Sequence, residues 1–157
     1  MEDWLNFFAY DDLMNLDVMQ EHGLEYRALF SVTLSSYKVV FNKIPIDNGG
    51  QEKLGLTNII PIHDNLGSLE GVLYEIRASF LPKLDEIYHH PGEYKRHTFR
   101  FTKHDFTVVK GFTYIAIPER TGKKLLPNKA LMKRLKGAKK NLQSLYFYRL
   151  MNIRTVD

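Results

Sequence analysis

Trp4-Leu5-Asn6-Phe7-Phe8-Ala9-Tyr10-Asp11-Asp12-Leu13-Met14 sets an aromatic run directly against two carboxylates. Its first seven residues are aromatic and almost continuously apolar, the composition of a strand buried on both faces. The apolar run stops at two carboxylates. Asp11-Asp12 then opens a segment with apolar Leu13, Met14, Leu16, Val18 and Met19 that ends at Gly23. An Asp N-cap and a Gly just past the end predict a helix over Leu13–His22.

Outward from there, Tyr26–Val32 and Leu34–Ile44 carry Val32, Leu34, Val39 and Phe41 with Tyr37 between them, the β-branched and aromatic enrichment of strands. Pro45–Lys53, with Asp47-Asn48-Gly49-Gly50, predicts a turn or loop. Leu56–Ile62 and Leu69–Ile76 predict a further strand pair around Asp64-Asn65-Leu66-Gly67. Ser79 stands where it would cap a short helix through Phe80, Leu81, Leu84 and Ile87, which His89-His90-Pro91-Gly92 interrupts. Tyr94–Thr102 and Thr107–Ile117 predict an antiparallel pair. From Pro127 onward the pattern is helical. About six strands, few helices and no βαβ alternation predict one α+β domain over residues 1–157, mostly antiparallel, whose sheet curls towards a barrel with flanking helices.

The 157 residues are 44% hydrophobic and 25% charged, within the range of a globular domain with a real core. The absence of cysteine excludes disulfide frameworks, thiol nucleophiles and zinc–thiolate sites. No apolar run approaches the roughly 20 residues of a membrane span. The acidic Met1-Glu2-Asp3-Trp4 start is unlike a cleaved leader, so the expected location is cytoplasmic. The net charge of +4 is unevenly divided: residues 1–118 carry 11 Lys+Arg against 16 Asp+Glu, or −5, and residues 119–157 carry 11 against 2, or +9.

On one continuous helix, Leu131, Leu135, Ala138, Leu142 and Leu145 fall within an arc of about 80°, with Lys129, Lys133, Lys136 and Lys140 within about 60° on the opposite side. Such lysines form a solvated face, or a contact for nucleic acid or an acidic partner. The second reading gains if exposed aromatics interleave with them, and Tyr146, Phe147 and Tyr148 stand nearby. Gly137 and Asn141 are points where the helix divides. His89-His90 with His97 fits no metal-ligand spacing, and neither a Ser-His-Asp elbow nor a phosphate-binding glycine loop is present. The expectation from this spacing is no metal.

The ordered set of segments resembles the γ-glutamylcyclotransferase-like family, including its γ-glutamylamine cyclotransferase branch. Phe8-Ala9-Tyr10-Asp11-Asp12-Leu13-Met14 sits where that family carries a Tyr-Gly-Ser-Asn-Leu or Tyr-Gly-Thr-Leu loop. Val32, Leu34, Tyr37 and Phe41 match its second strand. Thr57-Asn58-Ile59-Ile60-Pro61 and Leu69-Glu70-Gly71-Val72-Leu73-Tyr74 match its x-N-I-x-P … x-G-x-x-Y hairpin, Leu84-Asp85-Glu86 and Tyr94-Lys95-Arg96 flank its catalytic loop, and Lys136-Gly137-Ala138-Lys139 resembles its Gly-Ala element. The resemblance implies a mixed barrel and cyclisation of γ-glutamyl amines or peptides to 5-oxoproline, without cofactor or metal, in which the substrate's own α-amine attacks its δ-carbonyl.

That chemistry asks for a proton acceptor and donor tuned near neutrality and for N–H groups that hold developing charge. At the family's catalytic Glu position this chain has Tyr88, a phenol protonated at neutral pH. Asp11-Asp12 replaces the loop's Gly-Ser or Gly-Thr. The resemblance therefore implies a divergent member whose activity is changed or lost, with a pocket between the Tyr10–Met14 and Tyr88–Tyr94 segments. Tyr10, Asp11, Asp12 and Leu13 would line the substrate end, Tyr94 would donate a hydrogen bond, and Glu93 or Glu86 would stand in for the missing acid. Each has a plainer reading beside it: Asp11-Asp12 as a cap, Tyr88, Tyr10 and Tyr94 as packed strand or helix tyrosines, Glu86 and Glu93 as solvated loop carboxylates. A pocket that senses a metabolite without turnover, and a binding protein acting through the lysine face, are the rival functions.

Overall fold

β5 (Ser68–Arg77) is ten residues long, and Leu69 to Tyr74 are buried without a break. A strand covered on both faces needs hydrogen-bonded neighbours on both edges to satisfy its backbone. β1 (Trp4–Ala9) runs antiparallel along one edge, with Phe8 opposite Leu73, and β2 (Ala28–Ser35) along the other, with Val32 opposite Gly71. β6 (Tyr94–Lys103) joins β2, and β7 (Val108–Ala116) pairs antiparallel with β6. A parallel contact between Phe7 and Phe112 brings β7 back to β1 and closes a five-stranded barrel in the order β1-β5-β2-β6-β7. β3 (Tyr37–Lys43) and β4 (Leu56–Pro61) form a separate two-stranded sheet. This computed structural model describes residues 3–63 and 67–157.

Alternation along the strands builds two cores. Phe8, Tyr10, Val32, Leu34, Leu69, Leu73 and Phe101 pack with Ile59 of β4 inside the barrel. Phe7, Ala9, Val72, Tyr74, Ile76 and Tyr114 face the other way and are covered by the helices. These are α1 (Leu16–Glu21), α2 (Leu81–Ile87), α3 (Lys129–Lys136) and α4 (Ser144–Met151). Buried Asn58 ties the small sheet to the barrel: its Oδ1 accepts from the Ala116 N–H at 2.9 Å.

The α+β barrel expected from the sequence is the fold observed, and β6 and β7 form the antiparallel pair read from their pattern. Several local expectations are corrected. The helix predicted over Leu13–His22 is a 3₁₀ turn, Asp12–Met14, followed by α1, because Asn15 is extended and recaps the chain with its side chain on the Asp17 N–H. The break between the second and third strands falls at Ser36, with φ of 67°, not at Thr33, which stays in β2 opposite Glu70. β4 and β5 do not pair with each other: β4 lies against β3, and β5 is claimed on both edges by the barrel. Asp64, Asn65 and Leu66 of the turn predicted between them lie outside the described residues. Ser79 caps nothing; it sits in a 3₁₀ turn, and α2 starts with Pro82 in its first turn, where the missing N–H is harmless.

The C-terminal pattern is two helices rather than one. α3 ends at Gly137, a 3₁₀ turn follows over Lys139–Asn141, and Leu142 is extended before α4 begins. Leu135, Ala138 and Leu142 still reach the core, but the break turns Leu145 out to 62% exposure. Gly137 is required by contact: a Cβ there would lie 2.5 Å from Asn15 Cγ. Asn15 in turn donates to the Arg134 carbonyl at 2.9 Å, so α3 is fastened to the loop after β1.

Candidate active site

The chain leaves the barrel wall through Phe7, Phe8 and Ala9, all fully buried, and reaches Asp11 in an ordinary extended conformation with φ of −109°. No glycine is demanded there. The Asp11 carboxylate turns back on its own chain: Oδ1 accepts from the Leu13 N–H at 3.1 Å and caps the 3₁₀ turn. Oδ2 accepts from the Tyr88 hydroxyl at 2.7 Å. Capping and site geometry are here one arrangement.

Tyr88 ends α2 and is 6% exposed. Its ring stacks on Tyr114 at 4.2 Å and meets Tyr94 edge-on at 5.3 Å, so three tyrosines from α2, β6 and β7 fix one another. Tyr94 donates to the Thr57 carbonyl at 2.7 Å. Between these groups lies a cavity of about 200 Å³ lined by Asp11, Asp12, Leu13, Thr57, Tyr88 and Tyr94, with Leu56, Ile87 and Leu131 as apolar wall and His22 at its side. Thr57 Oγ1 is buried beside it and finds no hydrogen-bond partner among the described residues.

Charge around the cavity is distributed unevenly. Asp12 is paired with Arg134 of α3, Oδ2 to Nε at 2.9 Å, and Arg134 also holds Glu21 at 3.0 Å. Among the described residues, the hydrogen-bond partners of Asp11 are the neutral Leu13 N–H and Tyr88 hydroxyl. Burial, with the Asp12 charge beside it, pushes the Asp11 pKa from 3.8 up to about 7, against the pull of the hydrogen bonds from Tyr88 and the Leu13 N–H. Burial and the Asp11 carboxylate push the Tyr88 phenol far up, so it is a proton donor in a hydrogen bond and not a base. Such a site offers a carboxyl group poised between its two protonation states at neutral pH beside an aromatic wall of Tyr88 and Tyr94.

The structure thus brings Asp11, Asp12, Leu13, Tyr88 and Tyr94 together at one cavity, and leaves three other candidates outside its lining. Glu86 is exposed on α2. Glu93 accepts from Lys43 at 2.9 Å and from Arg120 at 2.8 Å; against the opposing effect of partial burial, these two cations hold its carboxyl below the usual range. Tyr10 points into the barrel, donating to the Tyr114 carbonyl. Asp85 accepts from the Tyr114 hydroxyl at 2.6 Å and pairs with Arg96 at 3.0 Å. Thr57, His22 and Leu131 were not singled out as site residues from sequence. Thr57 lies within the Thr57–Pro61 motif, which was a signal for it; His22 and Leu131 carry none.

Comparison with known proteins follows the same lines. The model of the family described as gamma-glutamyl cyclotransferase, AIG2-like, matches residues 7–132. No curated protein matches the chain. A solved structure named gamma-glutamyl cyclotransferase superposes with a TM-score of 0.82 at 18% identity, covering 98% of this chain and 89% of that one. YkqA from Bacillus subtilis gives 0.81 at 16%, covering 98% of this chain and 56% of that one. A gamma-glutamyl cyclotransferase specific to glutathione from yeast gives 0.66 at 13%, covering 94% of each. At these identities the structural likeness is one of fold.

Proposed function

The chain belongs to the gamma-glutamyl cyclotransferase, AIG2-like family, and from this premise we propose that its cavity takes the head group of a small γ-glutamyl amine or peptide and closes it to 5-oxoproline, with machinery altered at Tyr88 and Asp11-Asp12. The observation that carries the reading is the cavity between the Asp11–Leu13 turn and the Tyr88–Tyr94 segment, where a carboxyl with its pKa pushed up to about 7 meets an apolar wall of Leu56, Ile87 and Leu131. Its volume of about 200 Å³ is below the ~300–1,000 Å³ of drug-sized pockets. It therefore suits one amino-acid-sized head group, with the departing amine towards the mouth.

Incubation with a panel of γ-glutamyl amides and dipeptides is expected to release 5-oxoproline, and 5-oxoproline itself is expected to perturb the NMR signals of Thr57 and Leu131. Absence of both release and perturbation would overturn the reading. Perturbation without release would leave a sensor of the same compounds.

A second reading is supported by the exposed face of the C-terminal helices. Tyr148 is 58% exposed, Lys139 Nζ stands 5.7 Å from its ring centroid, and Lys129, Lys133, Lys136 and Lys140 are all exposed. Lysines with an open aromatic suit single-stranded nucleic acid. Binding to a single-stranded oligonucleotide is then expected to weaken steeply with salt and to fall when the four lysines become glutamine. Binding indifferent to those changes, or none at low salt, disposes of it.

A further inference from the structure

We propose that Asp11 is the acid–base residue of this chain's cyclisation, its carboxylate taking a proton from the attacking amine of the substrate and returning it to the departing nitrogen. The proposal rests on the reading that the cavity takes a γ-glutamyl compound. Its ground is the placement of carboxylates. Asp12 is neutralised by Arg134, Glu93 by Lys43 and Arg120, and Asp85 by Arg96, while Glu86 stands in solvent. Among the described residues lining the cavity, Asp11 is the one carboxylate with no cationic partner.

Asp11 is also held rigidly, which proton transfer over hydrogen-bond distances requires. The fully buried end of β1 delivers it, the Leu13 N–H fixes one oxygen, and the Tyr88 hydroxyl, locked by stacking on Tyr114, fixes the other. Tyr88 thereby becomes a positioning residue. The groups that face Asp11 are Asp12 on its own turn, Tyr10 after β1, Tyr74 from β5, Tyr88 from α2 and Tyr94 from β6, with His22 across the cavity and Arg134 pinned on Asp12. Burial and the Asp12 charge hold the Asp11 carboxyl near pH 7, where accepting a proton and giving it back are both easy.

The step balances without a further reactant. The free-base α-amine of the substrate attacks its δ-carbonyl carbon and forms the ring C–N bond. The attacking nitrogen loses one proton to Asp11. Asp11 passes that proton to the nitrogen of the original amide as its C–N bond breaks, so the products are 5-oxoproline and a free amine, and Asp11 is again a carboxylate.

The test is steady-state turnover of γ-glutamyl methylamide and γ-glutamyl alanine across pH 5 to 9. For the wild type, kcat is expected to rise through about pH 7 as Asp11 ionises. Asp11→Asn is expected to lose about 100-fold or more in kcat, the lower end of the range for acid–base catalysis. Asparagine still offers Oδ1 to the Leu13 N–H and its amide to the Tyr88 oxygen, so the fold is retained. Folding has its own readout. A carboxyl whose pKa is raised in the folded state contributes fully below about pH 4, and that contribution is lost as pH rises through about 7. Thermal melts of the wild type are therefore expected to fall over that window more than those of Asp11→Asn.

Tyr88→Phe removes a hydrogen bond that stabilises the charged carboxylate, so the rising limb of kcat is expected to move to higher pH. Turnover by Asp11→Asn within threefold of wild type, a limb unmoved by Tyr88→Phe, or loss of turnover on Glu86→Gln or Glu93→Gln with Asp11→Asn active, each overturns the proposal alone. A wild type that turns over neither compound overturns the cyclisation reading and the Asp11 role with it.

Discussion

Gly71→Ala is expected to destabilise the protein by about 3 kcal/mol or more, a large part of the ~5–15 kcal/mol that holds a domain together. Gly71 is in the middle of β5, opposite Val32, with a backbone conformation that alanine adopts freely. The obstacle is space. A Cβ at this position would fall on the Ala9 carbonyl oxygen and lie 2.6 Å and 2.7 Å from two ring carbons of Phe8. A flexible side chain could swing aside from such a contact; a backbone carbonyl in a paired strand cannot, because Ala9 is held opposite Val72. The Phe8 ring is stacked on Phe101 at 4.5 Å inside the barrel and has no room to turn. Relief requires β1 to move off β5, and β1 delivers Tyr10 and Asp11. Chemical denaturation is expected to show a lowered midpoint at an unchanged m-value. A loss under about 1 kcal/mol would mean that the barrel yields in a way this packing does not allow.

Glu93→Ala is expected to cost about 3 kcal/mol, although its carboxylate lies outside the cavity lining. Lys43 is 2% exposed, and its ammonium is held by Glu93 at 2.9 Å and by the Ile44 carbonyl at 2.6 Å. Burial pushes its pKa down, against the support of Glu93, so removing the carboxylate leaves a buried cation with one neutral acceptor. Breaking a buried pair from one side typically costs about 3–5 kcal/mol. The lower end applies because Glu93 retains 18% exposure. Lys43→Met is expected to cost far less, since Glu93 keeps Arg120 and methionine fills the space of the lysine stem. Lys43→Met combined with Glu93→Ala is expected to be more stable than Glu93→Ala alone, a non-additivity that denaturation curves of the three variants would measure. Additive losses would show that Lys43 is stabilised by something other than this carboxylate. The ammonium also stands 5.2 Å from the centre of the Tyr94 ring, so one wall of the cavity leans on the same pair.

The two predictions mark different depths of legibility. The aromatic run Trp4–Tyr10, the pairing of β6 with β7 and the α+β barrel class follow from composition and alternation, which are local properties that the buried strand obeys in any context. The resemblance to a known family implies a pocket between Tyr10–Met14 and Tyr88–Tyr94, and a cavity lined by Asp11, Asp12, Leu13, Tyr88 and Tyr94 lies there. The partners of β5 were not. Adjacency in sequence favours a hairpin with β4, but a strand buried on both faces pairs where two edges are free, and those belong to β1 and β2, distant along the chain. The helix after Asp11 was misjudged because Asn15, itself a good cap, restarts it one turn later.

The candidate acids show most clearly where residue type ceases to decide. Glu86 and Glu93 were singled out by nearness in sequence to Tyr88. Asp11, Tyr88 and Glu93 are all placed by contacts with residues tens of positions away, and their surroundings set their chemistry: Lys43 and Arg120 hold the Glu93 carboxyl below its usual range, while burial and the Asp12 charge, against the hydrogen bonds from Tyr88 and the Leu13 N–H, push Asp11 up to about 7.

Composition and alternation were enough for the barrel's strand content, the absence of thiol chemistry and the acidic body with its lysine-rich end. Only the folded chain shows which cavity carboxylate is paired with a cation and which accepts from a phenol and an amide N–H. Composition and periodicity are summed over many residues and survive local exceptions, whereas the state of one buried carboxyl depends on desolvation and on whether a single cation stands within about 4 Å.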